Sequence, residues 1–365
     1  MTSVAWSGPK LRVAVLGATG SVGQRFVSLL ADHPWFEIGA LCASERSAGH
    51  PYADAVRWMQ TTALPPEIGS LEIRPTESAS ANDCVVAFSA LDATIATPVE
   101  QEFARAGHVV VSNAGAYRMH PRVPLVVPEV NADHLELLAG QEFGDGAIVT
   151  NPNCSTIGLV LPLKPLVDRF GLLRVHVVTL QALSGAGIEG IPSMQMVDNI
   201  VPFISGEEEK IESETRKILG RVTGGEVTEH EVMIGAQCNR VPVLDGHTAC
   251  VSVELGDRPP REDLLDAWAE FVPDTAALAL PSAPKRVIHV LEGDDVPQPR
   301  LHRDTDGGMA ALVGRVRPCP LLSWKFVTLS HNTLRGAAGG ALLLGELAVA
   351  RGVVPGWSAG GKTAP

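Results

Sequence analysis

With 365 residues, 45% of them hydrophobic and 19% charged, the chain can bury two ordinary cores, so two domains are expected. A net charge of −12 argues against a nucleic-acid partner and against an anionic membrane surface, and leaves any anionic substrate to be met by locally placed Arg and Lys. The opening MTSVAWSGPKLRV lacks the pattern of a secretory signal, no apolar run has membrane-spanning length, and the six cysteines lie far apart with no Cys-x-x-Cys pair, so the expectation is a reduced, cytoplasmic protein without a structural metal.

The first element is a short β-branched strand, Arg12 to Leu16. It runs directly into Gly17-Ala18-Thr19-Gly20-Ser21-Val22-Gly23 and then into a helical pattern lasting to Leu30. A strand, a glycine-rich turn and a helix N-terminus let backbone N–H groups approach a pyrophosphate with no side chain in the way. In a chain with 36 glycines the spacing alone is weak, so the flanking strand and helix carry the assignment of Gly17, Thr19, Gly20, Ser21, Val22 and Gly23 to cofactor binding.

The second strand, Glu37 to Ala43, bears on which dinucleotide binds. An NAD enzyme usually ends this strand on an acid for the ribose diol, whereas here Glu37 opens it and its end reads Ala43-Ser44-Glu45-Arg46-Ser47. Two hydroxyls and a guanidinium suit a 2′-phosphate, which points to NADP held by Ser44, Arg46 and Ser47. The competing reading leaves these three in a solvated loop and gives the ribose to Glu45. Further strands at 83–88, ending in Ser89, and at 108–111 complete a doubly wound parallel sheet whose site lies at the carboxyl ends, with Ser89 on the cofactor side.

Residues 147–164, AIVTNPNCSTIGLVLPLK, read as a buried strand, a turn and an apolar helix, with Cys154 where the helix begins. A thiolate there is favoured by the helix dipole and by any nearby histidine or arginine, which makes Cys154 a candidate nucleophile. From this segment alone a buried structural thiol fits as well. The Cys154 backbone N–H and the Asn153 side chain are candidate donors to an oxyanion, although Asn153 could equally be a helix cap.

Beyond Cys154 the pattern changes to longer strands, an acidic helix and a long irregular stretch. Strands are expected at 173–182, 248–255 and 322–330, and helices at 206–219 and 261–271. The first of these helices is expected to be supported by the surface pairs Glu212 with Arg216 and Glu214 with Lys217. His247 follows a turn, Val243-Leu244-Asp245-Gly246, and so can project into a cleft and titrate near neutrality. A Gly/Ala/Leu helix from Arg335 to Val349 could return to the first domain.

Taken together, GATGSVG, SNAGAYRM, VPLVVPEVNADH, NPNCSTIG, LQALSGAG, GEEEK, RVPVLDGH and KFVTLSHNTLRGAAGG resemble, in this order and over nearly the whole chain, the archaeal and fungal-type branch of aspartate-semialdehyde dehydrogenases. The resemblance implies an N-terminal Rossmann-type domain (1–151 with 331–365), an α+β catalytic and dimerisation domain (152–330), and a C-terminal helix returning to the first domain. It also implies NADPH-dependent reduction of L-aspartyl 4-phosphate to L-aspartate 4-semialdehyde through a cysteine thioester, in biosynthesis of lysine, threonine and methionine, by a homodimer or homotetramer.

By the same resemblance Cys154 is the nucleophile, His247 the acid/base and Gln181 a neighbour of the nucleophile that positions the substrate. Arg240 matches the fork onto the α-carboxylate, Glu208 the acid that meets the ammonium, Lys210 and Arg118 the phosphate-binding pair, and Asn332 the contact to the nicotinamide carboxamide. Gly115 departs from the pattern, which generally carries a serine there. A related acylating dehydrogenase acting on another activated acid, such as malonyl-CoA, is the alternative.

Overall fold

The apolar runs of the first 150 residues form six strands in the computed structural model, which describes residues 9–354. They are β1 (Leu11–Leu16), β2 (Phe36–Ala43), β3 (Ile73–Pro75), β4 (Val86–Ser89), β5 (Val109–Ser112) and β6 (Ala147–Thr150). Their order is β3-β2-β1-β4-β5-β6 and every pairing is parallel. A parallel sheet covered by helices on both faces needs continuous apolar strands, and β4, β5 and β6 are buried at every position. Strand order reverses between β1 and β4, so the crevice at their carboxyl ends is where a sheet of this kind takes its ligand. Helix α1 (Ser21–Leu30) follows β1, and α2 (Ala93–Arg105) follows β4. This is the doubly wound α/β arrangement expected.

The second half builds a mixed sheet on helix α3 (Cys154–Phe170), α4 (Glu207–Ile218) and α5 (Arg261–Ala269). Its strands are β7 (Leu172–Gln181), β10 (Met233–Arg240), β11 (His247–Leu255), β12 (Ile288–Leu291), β13 (Ala311–Pro318) and β14 (Trp324–Ser330), with a small hairpin, β8 (Arg221–Thr223) and β9 (Glu226–Thr228), beside them. The order is β10-β7-β11-β14-β13-β12. The central β7–β11, β11–β14 and β14–β13 pairs are antiparallel, and the edges β10 and β12 pair in parallel. Trp268 of α5, 1% exposed, closes this core edge-on against Phe326 and donates to the Pro162 carbonyl at 2.9 Å.

Three strands of the second sheet, β10, β12 and β13, have no counterpart in the sequence reading, and neither do β3 of the first sheet and the hairpin strands β8 and β9. Met-Ile-Gly-Ala-Gln-Cys-Asn-Arg shows little alternation because β10 is an edge strand, partnered on one side by β7. The acidic helix α4 sits where expected, but the pairs Glu212–Arg216 and Glu214–Lys217 do not form. Glu212 accepts from the Ala236 N–H at 3.1 Å, Arg216 pairs with Glu229 at 3.2 Å, and Glu214 and Lys217 turn inward, 2% and 3% exposed. Tertiary partners outcompete helix-surface pairs that are worth only a few tenths of a kcal/mol, about 0.2–0.5 each.

Helix α6 (Gly339–Ala350) returns to the first sheet and is buried at nearly every position, which is why its sequence shows no polar face. A Cβ on Gly345 would lie 2.7 Å from the Phe88 ring, so glycine permits this close approach. Its one charged residue, Glu346, is compensated by His33 at 2.8 Å and by the Ser282 N–H and hydroxyl.

Candidate active site

The glycine loop closes against the β1–β4 crevice. Gly17 has φ +76°, and a Cβ there would sit 2.8 Å from the Ala90 carbonyl oxygen; a Cβ on Gly23 would sit 2.2 Å from the Gly17 oxygen. Both positions require glycine on geometry alone. The N-cap of α1 is Gly20, which supplies no side-chain acceptor, so the first N–H groups of the helix are left for a ligand.

A cleft of about 940 Å³ runs from this loop to Cys154 and is also lined by Thr19, Ser44, Arg118 and Asn332. Gly17, Gly20, Ser21 and Val22 line it as expected, whereas Gly23 acts behind the lining by letting α1 pack on the loop. Arg46 and Ser47 do not reach the lining; the Ser47 N–H closes a turn onto the Ser44 carbonyl at 2.8 Å. Ser89 is a correction. Fully buried, it donates to Glu100 Oε1 at 2.7 Å, as Ser112 does at 2.6 Å, so its hydroxyl serves a buried glutamate while Ala90 and Leu91 face the cleft. Asn332 lines the cleft with both ends of its amide engaged: Oδ1 accepts from the Gly246 N–H at 2.8 Å and Nδ2 donates to Ser184 Oγ at 2.8 Å. It thus ties the turn before His247 to the loop after β7.

Cys154 opens α3. Asn153 is its N-cap, with Oδ1 accepting from Ser155 N at 2.9 Å and Thr156 N at 3.4 Å. Its Nδ2 donates to both oxygens of Glu207 at 3.0 Å, so in this state the side chain braces the turn, and the Cys154 backbone N–H is the other candidate oxyanion donor. His247, at the start of β11, brings Nε2 to 3.3 Å from Cys154 Sγ. The Ala182 N–H donates to His247 Nδ1 at 3.0 Å, so the neutral ring carries its proton on Nε2 and points it at the sulfur.

The electrostatics of this pair differ from the sequence expectation. Burial, reinforced by the Glu207 carboxylate, pushes the Cys154 thiol up to about 12, against the smaller lowering influence of Arg118 and Arg240. Burial and the Arg240 guanidinium bring His247 down to about 3, so it does not titrate near neutrality in the free protein. The helix terminus alone does not outweigh desolvation, which favours the neutral thiol and the neutral imidazole.

Around the sulfur the structure gathers Gln181, Arg240 and Glu207. Glu207 accepts from Gln181 Nε2 at 3.1 Å, from Lys210 Nζ at 3.0 Å and from the Asn153 amide; with its donors and Lys210 outweighing burial, its carboxyl stays below the usual range. Glu208, the acid read from the sequence, lies elsewhere: its Oε1 accepts from the Cys238 N–H at 2.9 Å, on β10. The reason is helical phase. Lys210 is three residues from Glu207, hence on the same face, while Glu208 is turned about 100° away. Within GEEEK the spacing to the lysine was the available signal for Glu207. Arg240 donates from Nη1 to the Ala182 carbonyl at 2.6 Å, and its buried Nε has no partner. Arg118 donates from Nη1 to Glu214 Oε1 at 3.0 Å and from Nη2 to the Asn113 carbonyl at 2.6 Å, again with a buried, unpartnered Nε. Two guanidiniums, a carboxylate and an amide around a thiol and an imidazole can bind a small zwitterion with a second anionic group and carry out acyl transfer to sulfur.

Two family models match: the NAD-binding domain of semialdehyde dehydrogenases over residues 12–138 and their dimerisation domain over 163–335. The chain is 48% identical over 355 residues to the aspartate-semialdehyde dehydrogenase of Schizosaccharomyces pombe, covering 94% of this chain and 99% of that one. It is 47% identical over 342 residues to that of Methanothermobacter thermautotrophicus, covering 92% and 98%. Among solved structures, the Candida albicans aspartate-semialdehyde dehydrogenase with NADP superposes with a TM-score of 0.88 at 45% identity, covering 94% of this chain and all of that one.

Proposed function

The chain belongs to the aspartate-semialdehyde dehydrogenase family, and from that premise we propose that it reduces L-aspartyl 4-phosphate with NADPH to L-aspartate 4-semialdehyde and phosphate through a thioester on Cys154. The observation that carries this reading is the approach of Cys154 Sγ to His247 Nε2, 3.3 Å apart, with the cysteine lining the same cleft as the glycine loop.

The residues fit the cofactor. Gly17 and Gly20 line the cleft, Gly23 lets α1 pack against the loop, and the uncapped start of α1 offers N–H donors to a pyrophosphate. Ser44 stands at the end of β2 where a 2′-phosphate would be met, and the neighbour solved with NADP supports that choice. When bound, the dinucleotide supplies a hydride to the acyl carbon.

The protein's own groups do the rest. Cys154 attacks the acyl carbon as its thiol proton passes to the departing phosphate oxygen; the bond to that oxygen breaks and hydrogen phosphate leaves, giving a thioester that accepts hydride far more readily than a carboxylate. His247, fixed with its proton on Nε2, donates to the oxygen that gains charge at that carbon, together with the Cys154 backbone N–H. After reduction, breaking of the C–S bond releases the aldehyde, and the departing sulfur takes up a proton from solvent. Arg240 forks onto the α-carboxylate, Glu207 takes the α-ammonium in place of the Glu208 expected from the sequence, and Lys210 with Arg118 meets the phosphate.

We assign residues up to 151 and from 331 onward to the NADP-binding domain and 152–330 to a catalytic and dimerisation domain. The outer ends of the first, 1–8 and 355–365, lie outside the described residues. The exposed apolar residues Leu173, Met194, Val197, Phe203 and Met233 support a homodimer or homotetramer built through the second domain. Six cysteines without a disulfide support the cytoplasm, and no helix of the described residues is long and apolar enough to cross a membrane. The named relatives favour the amino-acid substrate over a malonyl thioester.

The test is phosphate-dependent reduction of NADP⁺ by aspartate 4-semialdehyde. Wild type is expected to turn over only with phosphate present, and Cys154→Ser to lose about a thousandfold or more in kcat while still binding NADP⁺. A folded, NADP⁺-binding wild type that shows no such turnover overturns the substrate assignment.

A further inference from the structure

Helix α4 reaches from the second sheet into the active site with charged residues spaced along one face, Glu207, Glu214 and Lys217. Glu214 is 2% exposed and accepts two hydrogen bonds, one on each oxygen: Arg118 Nη1 at 3.0 Å on Oε1 and the backbone N–H of Asn153 at 2.7 Å on Oε2. Asn153 immediately precedes the nucleophile. One turn further along the helix, Lys217 donates to the carbonyls of Arg118, His120 and Val123 at 2.7, 2.8 and 2.9 Å, fixing the loop that carries Arg118. Arg118 lines the cleft that holds Cys154; its two hydrogen bonds use one hydrogen on each Nη, and the second hydrogen on each Nη and the buried Nε–H have no protein partner.

We infer that Glu214 is a positioning residue that sets the anion-binding arginine and the nucleophile turn in one register, so that an anion held by Arg118 is placed correctly for displacement at the Cys154 sulfur. The inference rests on the reading that Arg118 meets the substrate's phosphate. A carboxylate is required at this position because two donors face it. An amide there would turn its NH2 against either the Asn153 N–H or the guanidinium and keep one bond at most. The helix-surface pairing expected for Glu214 leaves this role out, since it assigns the charge to solvent.

The test compares wild type, Glu214→Gln, Arg118→Lys and the double variant. Two quantities are measured: kcat/KM for phosphate in the oxidation of aspartate 4-semialdehyde, and the concentration of inorganic phosphate that half-protects Cys154 from iodoacetamide, read on its own peptide by mass. Glu214→Gln is expected to lower kcat/KM for phosphate about thirtyfold and to raise the protecting concentration, taken against its own unprotected rate, roughly tenfold, while NADP⁺ affinity stays within about twofold. The double variant is expected to lose no more than about twofold beyond Arg118→Lys, because both act on one register. A purely structural glutamate would instead lower the thermal midpoint, leave phosphate protection as in wild type and give multiplicative losses in the double variant; that result overturns the inference. Absence of phosphate protection in wild type overturns it too. Wild-type protection without turnover would instead refute the substrate assignment, and the protection data still decide the role of Glu214.

Discussion

Two of the helix N-termini that face the cleft are used in opposite ways. At α1 the cap is Gly20, with no side-chain acceptor, so the first N–H groups stay open. At α3 the cap is Asn153, whose Oδ1 takes the Ser155 and Thr156 N–H groups and whose amide is itself held by Glu207. One terminus is left unsatisfied so that a soluble anion completes it; the other is satisfied in advance so that a nucleophile is held still. The electrostatics follow. An open terminus draws charge in, whereas a closed and dry one leaves the thiol protonated until substrate arrives.

The largest effect that sharpens this contrast is in pH dependence. With its pKa raised to about 12 by burial, Cys154 is reactive only through a small thiolate fraction, which grows as pH rises. Alkylation at Cys154 by iodoacetamide in the unliganded protein is therefore expected to climb about tenfold per pH unit, roughly a hundredfold between pH 7 and 9. No inflection near 6.5 is expected, since His247, lowered to about 3, is already neutral throughout that range. A plateau at neutral pH would mean that the closed terminus activates the thiol after all.

Removing the closing group or crowding the open one should then give opposite phenotypes. Asn153→Ala deletes the cap, at a cost of about 1–2 kcal/mol in unfolding free energy, and should lower turnover while leaving NADP⁺ affinity within about twofold. Gly23→Ala places a Cβ 2.2 Å from the Gly17 oxygen and must displace the loop. It should weaken NADP⁺ binding roughly tenfold, by fluorescence titration, with Cys154 alkylation unchanged. If both variants move both quantities together, the two termini are not separate devices.

The smallest effect belongs to Gly115. Beyond its own chain neighbours no heavy atom lies within 4 Å of where its Cβ would stand, so the serine that the family resemblance implies there fits without rearrangement. Gly115→Ser should shift unfolding by less than about 0.5 kcal/mol and the phosphate KM by less than about threefold.

The first sheet and the nucleotide loop were legible in the sequence because a buried parallel strand followed by a glycine turn leaves a continuous apolar run and fixed spacings. Cys154 and His247 were legible as residues at a strand–helix turn and before a strand, and the structure brings them together. Their charge state was not, since desolvation depends on what packs around them and has no local sequence signature. Glu207 was missed in favour of Glu208 because three consecutive glutamates differ only in helical phase. Asn153 read equally well as an oxyanion donor or a cap, and only the positions of Ser155, Thr156 and Glu207 show how its side chain is spent here. Ser89 was misplaced because a strand-end serine gives no hint of a glutamate eleven residues on that claims its hydroxyl.

The almost wholly buried helix α6 has a consequence for how the protein is made. Its leucines pack into the core of the sheet assembled from the first 150 residues, with Gly345 seated against Phe88. That sheet is synthesised well before residues 339–350, which close its core. During synthesis of the intervening half, an apolar face on the nucleotide-binding sheet stays uncovered, and the second sheet can form before the first is finished. Helix α6 thus works as a latch, and a chain interrupted shortly before Gly339 would carry every catalytic residue named above and still expose the core that should hold its cofactor.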